Sequence, residues 1–131
     1  MVNFFSKYKI VFYSINFFLI FLYPFPGSIV GWVVYRDISI QPQITPNFII
    51  SSSHFYAFIL ISVIGFFTFK KLGQSKNLII YLISLSIVLE ILHLIIPARS
   101  YQWSDLFGNL SGVVVVIFID DLISKHGFFK K

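Results

Sequence analysis

Apolar residues fall into four blocks, and the polar residues collect between them. The blocks cover residues 8–25, 48–69, 77–96 and 106–123. Each runs about 17–22 residues, near the ~20 that carry a helix across ~30 Å of hydrocarbon. A lone strand would leave its backbone groups unpaired in lipid, so the blocks are predicted as helices. The breakers agree with these limits. Pro24, Pro26 and Gly27 close the first block, and Gln41, Pro42, Gln43 and Pro46 precede the second. Lys70, Lys71, Gly73 and Gln74 part the second from the third, and Pro97 closes the third. The expected fold is all-α: an integral membrane protein whose single domain, residues 1–131, is a four-transmembrane-helix bundle.

Composition fits a membrane protein. The chain is 57% hydrophobic and 11% charged, where a soluble domain carries about 25% charged residues. Mean hydropathy is +0.87. There is no cysteine, which excludes a disulfide framework, a thiolate nucleophile and Cys-ligated zinc or iron–sulfur centres. The net charge of +5 raises the question of nucleic acid, but the positives flank the spans, so no nucleic-acid partner is expected.

Lys7, Lys9, Lys70, Lys71, Lys76, Lys125, Lys130 and Lys131 share one side of a four-span topology, and Arg36 and Arg99 occupy the other. This bias puts both termini in the cytoplasm, N-in/C-in, in the cytoplasmic (inner) membrane. The first block begins like a signal peptide, but the small-residue cleavage pattern is missing from Tyr23-Pro-Phe-Pro-Gly27. An uncleaved first helix is expected. Residues 27–47 then lie outside. Their Trp32, Tyr35, Arg36 and Asp37 suit a segment on the outer interface; a plain linker is the alternative.

Within the apolar blocks stand His54, Glu90, His93, Asp105 and Asn109, with Arg99 beside them. Charged groups in hydrocarbon cost roughly 2.5–3.5 kcal/mol each on insertion scales. The topology puts all of them in the outer half of the membrane. His54 is predicted about two turns into its span, on the order of 9 Å at 1.5 Å per residue. Glu90 and His93, three apart, share a face, with Ser86 on the same stripe. Asp105, Asn109 and Gly112 share another. Gly108 and Gly112, four apart, are helix-packing positions that admit a close neighbour. Arg99, on the short 97–104 turn, is predicted to reach Glu90 or Asp105, or to meet an outside anion with its planar fork.

Each residue also has a plainer reading. Glu90 pairs with Arg99 or His93 only to set helix register. Ser104 and Asp105 open a helix as caps. Asn109 is an ordinary interhelical hydrogen-bonder, and His54 a satisfied interior histidine. His54, Glu90 and His93 form a chemically plausible zinc set, but no H-E-x-x-H or comparable motif supports it, and neither metal nor other cofactor is expected. Asp120 and Asp121 end the fourth span, where carboxylates oppose the macrodipole and Lys125 offsets them. His126 and Gly127 belong to a solvated tail, with Phe128 and Phe129 resting on the membrane.

Glu90-x-x-His93, Pro97-Ala98-Arg99 and Asp105-x-x-x-Asn109-x-x-Gly112, with Ser53-His54-Phe55-x-x-Phe58 upstream, resemble the signature of the VanZ-like membrane protein family. The resemblance covers roughly residues 48–117. The chain departs from that pattern at Ala98, where glycine is usual, and at His93, where glutamine is commoner. It also departs at 49–52, where Asp-Lys often precedes the histidine. The resemblance implies a small four-helix membrane protein of the cell envelope, in a family related to antibiotic resistance and without a settled mechanism.

Two functions follow as expectations. The first is a binding or accessory protein for an anionic lipid-linked envelope precursor, such as a polyprenyl phosphate, at the outer leaflet. Arg99 would hold the phosphate, Asp105, Asn109 and His54 would shape the substrate site, and membrane lipid would be the partner. The alternative is an intramembrane hydrolase or transferase with Glu90 and His93 as catalytic acid and base. A homo-oligomer is compatible with both.

Overall fold

A computed structural model describes residues 4–127, with side chains from residue 8 onward. The chain forms α1 (Phe4–Leu22), α2 (Ile29–Tyr35), α3 (Ser52–Phe69), α4 (Ser75–Leu92) and α5 (Trp103–His126), with a 3-10 turn at Lys70–Leu72. No strand occurs among the described residues. Three helical stretches, Ser52–Leu72, Ser75–Leu92 and Trp103–His126, are long and apolar enough to cross a membrane. Tyr8–Leu22 of α1 is a shorter apolar helix. Phe128, Phe129, Lys130, Lys131 and the Lys7 side chain lie outside the described residues.

The helices start and stop differently from the apolar blocks. α1 ends at Leu22, because Pro24 disfavours helical backbone at the residue before it. α3 begins at Ser52 rather than at 48. Asn47 takes a left-handed φ of 58°, and the Gln43 side chain occupies the start of α3. Its Oε1 accepts from the Ser52 N–H at 2.9 Å and the Ser53 N–H at 3.4 Å, satisfying donors that a helix start leaves free. His54 therefore sits in the first turn of α3, not two turns in. α4 ends at Leu92 with His93 as its C-cap, and Ala98 turns the chain with a φ of 59°, a conformation glycine adopts without strain.

α5 starts at Trp103 with Gln102 as its N-cap, so neither Ser104 nor Asp105 caps it. It continues past Asp120 and Asp121 to His126, with Gly127 as a left-handed C-cap. The two carboxylates are thus internal to the helix, and His126 is its last residue rather than part of a tail. Lys70 Nζ meets Asp120 at 2.7 Å and Lys125 Nζ meets Asp121 at 2.6 Å.

Residues 27–47, predicted without a helix, contain α2. Its N-cap Ser28 accepts the Gly31 N–H at 2.9 Å. Residues 38–40 fold back across it, through Ser28 N–H to Ile38 O at 2.7 Å. Gly31 is required there, because an added Cβ would meet Ile40 O at 1.9 Å. The outward side chains Trp32, Val33, Val34 and Tyr35 are exposed.

α3 is central, touching α1, α4 and α5, and its contact with α5 is the most extensive. Phe58, Ile61, Leu82, Leu89 and Val113 form the most buried apolar core. The α3–α5 contact has glycine in place of side chains. A Cβ on Gly108 would meet Ser51 O at 2.7 Å, and one on Gly112 would meet Phe55 O at 2.6 Å. Both obstacles are backbone, which cannot swing aside. Gly112→Val is expected to lower stability by about 1–3 kcal/mol or more in a detergent unfolding titration. Gly73→Ala, at an open turn, is expected to cost about 1 kcal/mol through its positive φ.

Candidate functional site

The helix ends bring the polar residues together. His54 comes from the first turn of α3, Glu90 and His93 from the end of α4, and Asp105 and Asn109 from the start of α5. All five are buried, and Glu90 and Asn109 are 0% exposed. Tyr23, just beyond α1, completes the group: its ring lies 4.7 Å from that of His54, centroid to centroid.

Asn109 is the hub. Its Nδ2 donates to Ser86 O at 3.3 Å, a carbonyl that only accepts. That assigns its Oδ1 to the other side, where it accepts from the Tyr23 hydroxyl at 3.0 Å and from His54 Nδ1 at 3.1 Å. His54 therefore carries a proton on Nδ1. Its Nε2 faces Asp105 Oδ2 at 3.6 Å.

His93 repeats the arrangement. Its Nε2–H donates to Tyr23 O at 2.9 Å, and its Nδ1 lies 3.3 Å from Glu90 Oε2. That pair is close, but it is not aligned as a hydrogen bond. The other Glu90 oxygen accepts the Gln102 N–H at 2.9 Å, tying the end of α4 to the start of α5. Each histidine thus has one ring nitrogen fixed by a neutral acceptor and the other turned toward a carboxylate.

Arg99 does not pair with Glu90 or Asp105, the first of its two predicted roles. Its Nε donates to Phe25 O at 3.1 Å and its Nη2 to Tyr23 O at 3.2 Å. It makes no ion pair within 4.0 Å of Glu90 or Asp105. The 97–104 turn carries the guanidinium across to the chain leaving α1, where carbonyls beyond the helix need donors. Burial pulls the Arg99 pKa below the ordinary guanidinium value, against the opposing fields of Asp105 and Glu90.

A cavity of ≈ 170 Å³ adjoins the cluster, lined by Gln43, Asn47, Ser51, Gln102, Ser104 and Asp105, among others. Asp105 joins it to the buried group. A larger cavity, ≈ 260 Å³, lies between α1 and α4 near Phe12, Asn16 and Tyr81. It holds no carboxylate or histidine, whereas Asp105 lines the smaller one.

The three residues that gave a chemically plausible zinc set in sequence, His54, Glu90 and His93, are not the three whose donor atoms converge. His54, Glu90 and Asp105 each offer a ligand atom within 4.8 Å of the others; Asp105 stands where the sequence pointed to His93. Sequence reasoning also passed over Tyr23, whose only signal was its position next to Pro24. Gln43 carried no signal, because its partners lie eight to ten residues away.

The chain matches no family model, curated protein or solved structure.

Asn109→Leu leaves the Tyr23 hydroxyl and His54 Nδ1 without their acceptor, while Ser86 O keeps its helical bond within α4. The expected loss is about 2 kcal/mol or more, at roughly 1–3 kcal/mol for each unsatisfied group. Tyr23→Phe combined with Asn109→Ala in a double-mutant cycle is expected to give a coupling of about 0.5–3 kcal/mol. A coupling of zero would remove Asn109 from the centre of the network.

Proposed function

We propose that this chain is a four-span protein of the cytoplasmic membrane, N-in/C-in and VanZ-like. Its polar end holds the anionic headgroup of a lipid-linked envelope precursor at the outer leaflet. α1 is the fourth span. The observation that carries the reading is convergence. Residues far apart in sequence, which share the VanZ-like spacing, meet at one end of three apolar helices. Lys70, Lys71 and Lys76 lie at the other end, where a positive-inside bias puts cytoplasm. Two of the five guanidinium donors of Arg99 are engaged by Phe25 O and Tyr23 O, which holds the half-buried fork at the edge of the cluster. Exposed Trp32 and Tyr35 on α2 suit a segment lying at the headgroup level.

A second reading has its own support. Two histidine–carboxylate contacts with fixed outer tautomers are the parts of an acid–base centre. A hydrolase or transferase using Glu90 and His93 on a lipid-linked substrate fits them, with Arg99 stabilising developing negative charge.

Two measurements test these readings. Native mass spectrometry is expected to show an anionic lipid on the purified protein, lost on Arg99→Ala while circular dichroism still reports a folded helix bundle. Lipid retained by folded Arg99→Ala would sink the binding reading; turnover abolished by Glu90→Gln with lipid still bound would select the enzyme. The chain has no cysteine, so Ser100→Cys and Lys71→Cys can be labelled without background. They are expected to react from opposite sides of the membrane, and labelling from one side would overturn the topology.

A further inference from the structure

We propose that His54, Glu90 and Asp105 form a binding site for a divalent transition-metal ion such as zinc. The proposal is independent of which lipid or substrate the polar end handles.

Three features converge on it. The first is the donor set. One imidazole nitrogen and two carboxylates, supplied by three helices and all buried, lie within 4.8 Å of one another. Ligands of a tetrahedral zinc ion at about 2.0–2.2 Å stand roughly 3.3–3.6 Å apart, and His54 Nε2 and Asp105 Oδ2 are already 3.6 Å apart. The second is the tautomer. Asn109 Oδ1 accepts from His54 Nδ1, so the remaining lone pair of a neutral imidazole is on Nε2, facing the carboxylate. Two acceptors facing each other need a cation between them. A metal-bound histidine characteristically donates its far N–H to an oxygen acceptor that fixes the ring. Asn109 does this and is itself held by Tyr23 and Ser86.

The third is charge and satisfaction. Two buried carboxylates carry two negative charges, and one divalent ion balances both. Glu90 Oε1 is oriented by the Gln102 N–H. Glu90 Oε2 is fully buried and accepts no hydrogen bond among the described residues, its approach to His93 Nδ1 being misaligned. Three protein ligands leave a further coordination position, as in catalytic rather than structural zinc sites, and Asp105 borders the ≈ 170 Å³ cavity through which water or a small ligand reaches it.

The rival explanation is metal-free: protons on His54 and His93 neutralise the two carboxylates. Metal binding by the full-length protein in detergent separates the two. After treatment with a chelator and dialysis against micromolar zinc, elemental analysis is expected to find about one zinc per folded chain. His126→Gln, at the exposed end of α5, is expected to retain it. His54→Gln, Glu90→Gln and Asp105→Asn are expected to lose it, and Asn109→Ala to weaken binding by about 10–100-fold. Wild-type protein that takes up no zinc overturns the proposal, as does full occupancy in folded His54→Gln and Asp105→Asn. If those variants do not fold, cobalt(II) added to the wild type decides. The visible absorption of nitrogen- and oxygen-coordinated cobalt supports the site, and the spectrum of hydrated cobalt overturns it.

Discussion

A Cβ at Gly108 would fall 2.7 Å from Ser51 O, and one at Gly112 would fall 2.6 Å from Phe55 O. α5 therefore rests on the backbone of α3 itself. That approach sets everything at the polar end. It brings Asn109 within hydrogen-bond reach of His54, and it brings Asp105 alongside the second nitrogen of the same ring. Larger side chains at either glycine would force the helices apart and open the contacts on which the cluster depends. Lipid gives apolar helices little reason to prefer one another, so small residues and interhelical hydrogen bonds decide which faces meet. Here both act at one place.

The two ends of the bundle are built on different electrostatic terms. Lys70–Asp120 and Lys125–Asp121 have partly or largely exposed side chains, and such pairs contribute little because water screens them. At the other end Glu90, Asp105, His54 and His93 are buried. There, desolvation opposes every charge, and only close, well-oriented partners offset it. Asn109 ties α5 to α3, α4 and the chain beyond α1, and Glu90 Oε1 ties α4 to the start of α5. The network therefore locks the relative rotation of α3, α4 and α5 as well as its own geometry.

Much of this was legible from the sequence. Block length and breakers placed four apolar helices, and the spacing of Glu90 with His93, and of Asp105 with Asn109, marked shared faces. The ends of helices were not legible where a distant side chain decides them. Gln43 closes the start of α3 from outside the apolar block, and Gln102, with no side-chain cap of its own, starts α5 ahead of the favoured Ser104 and Asp105. An acid partner for Arg99 is the expectation from charge alone; the carbonyls beyond α1 that it serves instead, Phe25 O and Tyr23 O, leave no mark in the sequence. The convergence of His54, Glu90 and Asp105 was obscured for another reason. The three residues come from three helices, and no linear spacing records which of His93 and Asp105 turns toward His54.

A purely structural role accounts for only part of the cluster. Glu90 Oε1 links α4 to α5, Asn109 links α5 to α3 and α4, and His93 Nε2 links α4 to the chain beyond α1. A neutral amide in place of Glu90 would accept the same Gln102 N–H without bringing a buried charge. Replacing buried ionic groups with apolar ones of similar volume is often neutral or stabilising, so fixing helix register does not by itself require these acids. What remains after the structural bonds are assigned is Glu90 Oε2, one oxygen of Asp105 and one nitrogen of each histidine. His54, Glu90 and Asp105 offer atoms within 4.8 Å of one another, His93 lies against Glu90 and Asp105 lines the cavity; these are the groups that binding a proton, a metal ion or a polar headgroup would use.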